Sequence, residues 1–75
     1  MRKNAIIKAT LGDLLEILDA RAIVYIFTDN DYCIRATTPI YEILSDKAFL
    51  KRYSKYEVIG INKTLGATSI LIEEV

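Results

Sequence analysis

The stretch that most constrains the fold is residues 22–36, AIVYIFTDNDYCIRA, which has the pattern of a β-hairpin. Residues 23–27 are all β-branched or aromatic, and such residues favour a pleated, well-buried strand. Residues 32–36 alternate more clearly between apolar and polar side chains, so we expect this second arm to expose one face. The Asp-Asn-Asp sequence between the arms favours a chain reversal, because these short side chains bond nearby backbone and tolerate left-handed φ angles.

A leucine stripe upstream of the hairpin predicts a helix from Thr10 to about Ala20. Its apolar residues recur at i, i+3, i+4 and i+7, the spacing of one helical face, and they are Leu11, Leu14, Leu15 and Leu18. Thr10 is the predicted N-cap, and Asp13 three residues later completes a weaker form of the capping box. Before this helix, residues 4–9 (NAIIKA) form a candidate first strand.

Downstream of the hairpin, Thr38 and Pro39 predict the start of another helix, with Thr38 as the cap and Pro39 at the first helical position, where proline is tolerated. The apolar face of this helix is formed by Ile40, Ile43 and Leu44. The apolar phase slips at Ser45 and Asp46, which read as a second cap. We therefore expect two short helices with a kink between them rather than one straight helix.

The last third of the chain predicts a second hairpin, in which residues 56–61 and 68–73 flank a loop over residues 62–67. Gly66 is the natural residue for a positive φ angle in such a loop. The residues predicted to share a face within each arm are Ile59 with Ile61 and Ile70 with Ile72.

This order of elements predicts a single α+β domain over residues 1–75. We expect a small, mostly antiparallel sheet of four to five strands, made of the two hairpins and the candidate N-terminal strand, with two or three short helices packed on one face. Hydrophobic residues make up 52% of the chain, which argues against disorder. In so small a domain the same content leaves apolar surface available for self-association.

The charge balance and the cysteine content limit the classes of partner and the cellular compartments that fit this chain. Ten basic and ten acidic residues give a net charge of zero, which excludes a generally basic nucleic-acid coat protein. A single cysteine, Cys33, allows no internal disulfide and favours a reducing compartment. No apolar run approaches the roughly 18–20 residues of a membrane span, and Lys8 interrupts the N-terminal apolar residues too early for a signal peptide. We therefore expect a cytoplasmic protein with no membrane contact.

The composition also argues against catalysis. Histidine is absent, which removes the commonest general base and metal ligand, and one cysteine cannot form a structural zinc site. We predict no enzyme activity and no catalytic, cofactor-binding or metal-binding residues. Asp29 and Asp31 supply too few ligands for a closed cation site and are interpreted as turn residues. Cys33 is predicted to be a small buried hydrophobe, with pairing across a dimer as the alternative if it faces outward.

Two segments are predicted to contact a partner. The first is an edge strand, because exposed sheet edges need to be covered, and its contact residues are Tyr32, Ile34 and Arg35. The second is a basic helix over residues 47–55, whose contact residues are Lys47, Lys51, Arg52, Tyr53 and Lys55. Basic side chains beside aromatic rings are typical of nucleic-acid binding, but a solvated helix face is the interpretation that we favour over nucleic-acid binding.

Four phrases of this sequence resemble small accessory proteins of phages, prophages and other mobile elements of Firmicutes: TLGDLLEILD, IVYIFTDNDY, FLKRYSKYEVIGI and SILIEE. The similarity covers most of residues 10–74. Such proteins run as a short helix, a hairpin, a second short helix and a final pair of strands. The resemblance carries no catalytic residues. It implies a mobile-element protein that binds and blocks a host factor, as anti-CRISPR and related anti-defence proteins do.

Three functions follow, in order of preference. The first is a non-enzymatic protein-binding module that also forms a homodimer by joining sheet edges across a two-fold axis. The second is a small regulatory protein that binds nucleic acid through the basic helix. The third is binding of a small ligand at a dimer seam. Salt separates the first two, because counterion release makes nucleic-acid affinity fall steeply with ionic strength.

Overall fold

A computed structural model of the chain describes residues 9–30 and 32–74. Along the sequence the elements are α1 (Leu11–Ile17), β1 (Ile23–Thr28), β2 (Cys33–Pro39), α2 (Ile40–Leu44), α3 (Lys47–Tyr53), β3 (Glu57–Thr64) and β4 (Ala67–Glu73). The predicted α+β architecture is confirmed, with both hairpins present. Residues 4–8 of the candidate first strand lie outside the described residues. Its last residue, Ala9, is described, and the carbonyl of Ala9 accepts a hydrogen bond from Val58 N at 2.9 Å.

The four strands form one mixed sheet in the order β2-β1-β4-β3. Each hairpin pairs antiparallel within itself, and the two hairpins join through a parallel pairing of β1 with β4 over six residues. The first arm of the first hairpin and the last arm of the second hairpin are therefore the central strands. β2 and β3 are the two edges.

All three helices pack on the same face of the sheet. The core contains residues from every helix and from both central strands: Leu11, Leu14, Leu15, Val24, Ile26, Ile40, Ile43, Phe49, Ile70 and Ile72. The predicted leucine stripe of α1 accounts for three of these residues, and the predicted pair Ile70 and Ile72 is confirmed. In β1 and β4 only alternate residues are buried, as expected for strands whose two faces have different neighbours.

Helix α1 begins where predicted and ends earlier. The Thr10 hydroxyl accepts a hydrogen bond from Asp13 N at 3.2 Å, which confirms the cap. The last helical residue is Ile17, so the predicted end near Ala20 is wrong. The reason is a turn at Asp19, whose side chain accepts from Arg21 N at 2.9 Å and so offers the backbone an alternative to the helix.

The kink between α2 and α3 is confirmed, because Asp46 caps α3 by accepting a hydrogen bond from Phe49 N at 3.0 Å. The predicted start of α2 is wrong. Thr38 lies in β2 and its hydroxyl donates to the carbonyl of Ala36 at 2.8 Å, while Pro39 takes the N-cap position without a side-chain hydrogen bond. Backbone supplies the cap instead: the first helical N–H, that of Ile40, donates to the carbonyl of Ala22.

The second hairpin has a shorter loop than predicted. Residues 62–64 belong to β3, so only Leu65 and Gly66 lie in the turn, and Gly66 has the expected positive φ angle of 74°. The strand β3 also contains a bulge, since Val58 pairs with Ile72 and Ile61 pairs with Ile70. The alternation of faces is interrupted between those pairs, so the prediction that Ile59 and Ile61 share a regular strand face is wrong.

Candidate functional site

The sheet face opposite the helices is the main candidate site, and we call it the outer face. Among the described residues, no helix covers it. Ladder register and alternating burial place thirteen residues there: Ile23, Tyr25, Phe27, Cys33, Pro39, Glu57, Gly60, Asn62, Thr64, Ala67, Ser69, Leu71 and Glu73. Several of these are large apolar side chains that remain partly exposed. An antiparallel sheet often has one solvated face, but that face is normally polar.

A concavity of about 500 Å³ opens on the outer face beside β3. Phe27 and Leu71 form its apolar sides, and Gly60, Asn62 and Ser69 contribute small or polar lining. Gly60 lies opposite Leu71 in the ladder and has no side chain, which leaves room beside Leu71. The concavity is therefore suited to an apolar side chain brought by a partner.

The outer face is uncharged at its centre. Of these thirteen residues only Glu57 and Glu73 carry charge, and they are paired with each other at one end of the β3–β4 ladder. Lys63 pairs with Thr68, which is buried on the helix side, so this lysine belongs to the opposite face. Apolar contact, rather than charge, is what the centre of this face offers.

Strand β2 lies at the sheet edge, and it contains the first predicted contact segment. Tyr32, just before β2, is 68% exposed. Ile34 packs against the core, because a register shift between Ile26 and Phe27 makes it an extra residue in β2. Arg35 also turns inward, where its guanidinium lies 5.1 Å from the Phe49 ring centroid. Inward-pointing charge and bulges are devices that protect an edge strand from pairing with other chains.

The second predicted segment carries its charges outward. Lys47 and Lys51 share an exposed helical face of α3, and Arg52 is also exposed. The predicted end of this helix at Lys55 is wrong, because α3 ends at Tyr53 and Lys55 lies exposed in the turn that follows. Tyr53 points inward and stacks at 5.0 Å edge-on against Tyr56. The fold thus presents a basic surface over the region that the sequence indicated.

A second, polar cleft of about 290 Å³ brings the two predicted segments together. It lies between the β1–β2 turn and the end of α3, and its lining includes Tyr32, Ile34, Arg52, Tyr53 and Tyr56. The Arg52 guanidinium lies 5.3 Å from the Tyr53 ring centroid, within range of a cation–π interaction. Two carboxylate residues, Asp29 and Glu74, line the same cleft and reduce its attraction for phosphate.

Cys33 is exposed, so the prediction that it is a buried hydrophobe is wrong. It pairs with Phe27 in the ladder, and this register places it on the outer face rather than in the core. Its thiol lies 3.2 Å from the carbonyl oxygen of Arg35. In residues 9–30 and 32–74, no three His, Cys, Asp or Glu side chains come together as metal ligands, and no helix is long and apolar enough to cross a bilayer.

Sequence reasoning missed the outer face as a site. A signal was present in residues 23–27, which are apolar at every position rather than at alternate positions. Such a strand in a sheet with helices on one side must present apolar groups on the other side too. The depression at Gly60 had no comparable signal, because it depends on which residues of β4 lie opposite β3.

Comparison of the chain with protein-family models, with curated proteins and with solved structures gives no match. The function is therefore argued from the described residues, and the resemblance to mobile-element proteins stays an expectation.

Proposed function

We propose that this chain is a non-enzymatic protein-binding module that docks a protein partner on its outer face. The observation that carries the proposal is the sheet's second apolar face, which has partly exposed Tyr25, Phe27 and Leu71 and a concavity at Gly60. Contiguous apolar surface of this kind marks interaction sites in small domains. The buried central strands and the helices on the other face hold these side chains on a rigid sheet.

The biological setting is a further part of the proposal. The resemblance of residues 10–74 to phage and mobile-element proteins supports an accessory role, in which the chain binds and blocks a host factor in the cytoplasm. The absence of histidine supports a role without catalysis.

Affinity capture with matched variants tests the proposal. We would immobilise the wild-type chain, Leu71→Lys and Leu65→Ser, and incubate each with a Firmicutes lysate treated with nuclease. Leu65 is the control, because it is a fully exposed leucine in the β3–β4 turn, away from the outer face. We expect a stoichiometric protein that survives high salt and is retained by wild type and Leu65→Ser but lost with Leu71→Lys. Equal capture by all three would overturn the proposal, as would capture by none.

Nucleic-acid binding is the second candidate, and the observation that favours it is the cleft that joins Tyr32, Arg52 and Tyr53 beside the exposed Lys51 and Lys55. An unstacked base could lie against the tyrosine rings while lysines contact phosphates. Fluorescence anisotropy with a labelled single-stranded oligonucleotide, at several salt concentrations, tests this candidate. Binding that weakens steeply with salt and is lost in the double variant Lys51→Glu, Arg52→Glu supports it. Unchanged binding in that double variant rejects it.

A further inference from the structure

The outer face carries large side chains along one strand and small side chains beside them, so a second copy of the same face can pack against it. The three outer side chains of β1 are large and form what we call the ridge: Ile23, Tyr25 and Phe27. Beside the ridge, β4 and β3 carry small residues at Ala67, Ser69 and Gly60, Leu71 is the large side chain among them, and the concavity of about 500 Å³ opens there. We call this strip the groove. Ridge and groove run side by side along the strands.

Two copies whose outer faces meet can be related by a two-fold axis that lies between the sheets and runs parallel to the strands. This axis places the β2 side of one sheet over the β3 side of the other. It therefore puts the ridge of each copy over the groove of the other. Stacked sheets pack about 10 Å apart with their strands within about 30°, and large side chains opposite small ones fill that space. Tyr25 suits such burial, because its hydroxyl is already hydrogen-bonded to Thr37 Oγ1 at 3.1 Å.

Charge permits this arrangement at the centre of the face and opposes it at one end. The centre of the outer face carries no charged side chain, so two copies meet there without burying like charges. The same axis brings Glu57 and Glu73 of both copies to one end of the interface. These carboxylates repel each other across the interface, and salt screens that repulsion. Association should therefore become tighter, not weaker, as ionic strength rises.

We propose that the outer face binds a second copy of the chain, with the ridge of each copy in the groove of the other. This inference rests on the proposed function, since it uses the same apolar face, and a second copy and a host protein would compete for that face. Four strands of about six residues span roughly 19 by 20 Å. Such a face is smaller than the roughly 800 Å² that each partner buries in a standard interface. We therefore expect a weak dimer, with a Kd between about 1 µM and 1 mM.

Sedimentation velocity over about 1 µM to 1 mM protein tests the inference. Gly60→Val places a branched side chain in the groove, and its Cβ would lie 3.5 Å from Leu71 Cβ, an ordinary contact. Ser69→Lys places a charge in the groove and serves if Gly60→Val does not fold. The control is again Leu65→Ser. We expect wild type and control to dimerise equally, and each groove variant to have a Kd at least roughly tenfold higher. Circular dichroism verifies that each variant is folded.

A wild-type chain that stays monomeric throughout that range overturns the inference, as does a dimer unaffected by folded groove variants. A dimer that weakens steeply with salt also overturns it, because charged contacts elsewhere would then hold the copies together. The proposed function fails separately. A monomer that still captures a host protein through Leu71 supports the proposed function and contradicts the dimer. A groove-dependent dimer that captures no host protein supports the dimer and contradicts the binding of a host factor.

Discussion

Arg35 on the edge strand β2 forms an ion pair with Asp46 at the start of α3, with Nη2 and Oδ2 3.1 Å apart. The other carboxylate oxygen of Asp46 accepts the hydrogen bond from Phe49 N that caps the helix. Arg35 in turn lies over the Phe49 ring. The Asp46 carboxylate thus holds the first turn of α3 and also keeps Arg35 pointing inward. The sequence had predicted that Arg35 contacts a partner.

Asp46 variants separate these two roles. Asp46→Ala removes the cap and the ion pair, and we expect the free energy of unfolding to fall by about 1–2 kcal/mol. Asp46→Asn keeps a good cap and removes only the charge, so the expected loss is about 0.2–1 kcal/mol for a partly exposed pair. Urea denaturation measures both losses. Equal losses for the two variants would show that the helix cap contributes little.

Gly12 lies in a close backbone contact that leaves little room for a side chain. Its N–H donates to the carbonyl of Ser54 at 2.9 Å, and an added Cβ would be 3.2 Å from both Ser54 Cβ and that oxygen. Ser54 cannot easily move, because its own N–H donates to Leu50. We expect Gly12→Ala to destabilise the fold by about 1 kcal/mol or more, although alanine favours a helix.

The matched control for Gly12→Ala is Gly60→Ala, whose added Cβ makes only ordinary contacts with Leu71. Because alanine also restricts the unfolded chain, we expect a change within about 0.5 kcal/mol or a slight stabilisation. Parallel urea titrations compare the two. If Gly60→Ala is the more harmful substitution, the assigned β3–β4 packing is wrong.

Two isoleucines, one buried and one exposed, should respond very differently to truncation. Ile70 is fully buried between the helices and the sheet, whereas Ile17 at the end of α1 is 79% exposed. Ile70→Ala should cost about 2–5 kcal/mol and leave so small a domain largely unfolded. Ile17→Ala should change stability by no more than about 0.5 kcal/mol. Thermal melts monitored by circular dichroism test both, and comparable melting temperatures would contradict the burial pattern.

Cys33 should react with a thiol reagent in the folded protein, because it is exposed on the outer face. We expect a maleimide to label it at a rate close to that of the urea-unfolded chain, measured by mass spectrometry at dilute concentration. Protection by a large factor at low protein concentration would contradict this placement. Protection that appears only at high concentration would agree with the proposed dimer.

Local chemistry alone predicted much of the framework. The cap at Thr10, the leucine stripe of α1, the helix break at Asp46 and the positive φ of Gly66 were all readable from the sequence, because each depends on residues within one turn or one loop. The α+β class followed from the order of these elements.

Tertiary structure decided the rest, and the physical reason is that strand pairing is non-local. The parallel pairing of β1 with β4 placed the most apolar strand at the centre, and a bulge in β3 turned Ile61 rather than Ile59 toward Ile70. The ladder put Cys33 outside and Gly60 opposite Leu71, which created the concavity. Residue types and their spacing determined which segments are helices and strands, whereas contacts between distant segments determined which face of the sheet stays open.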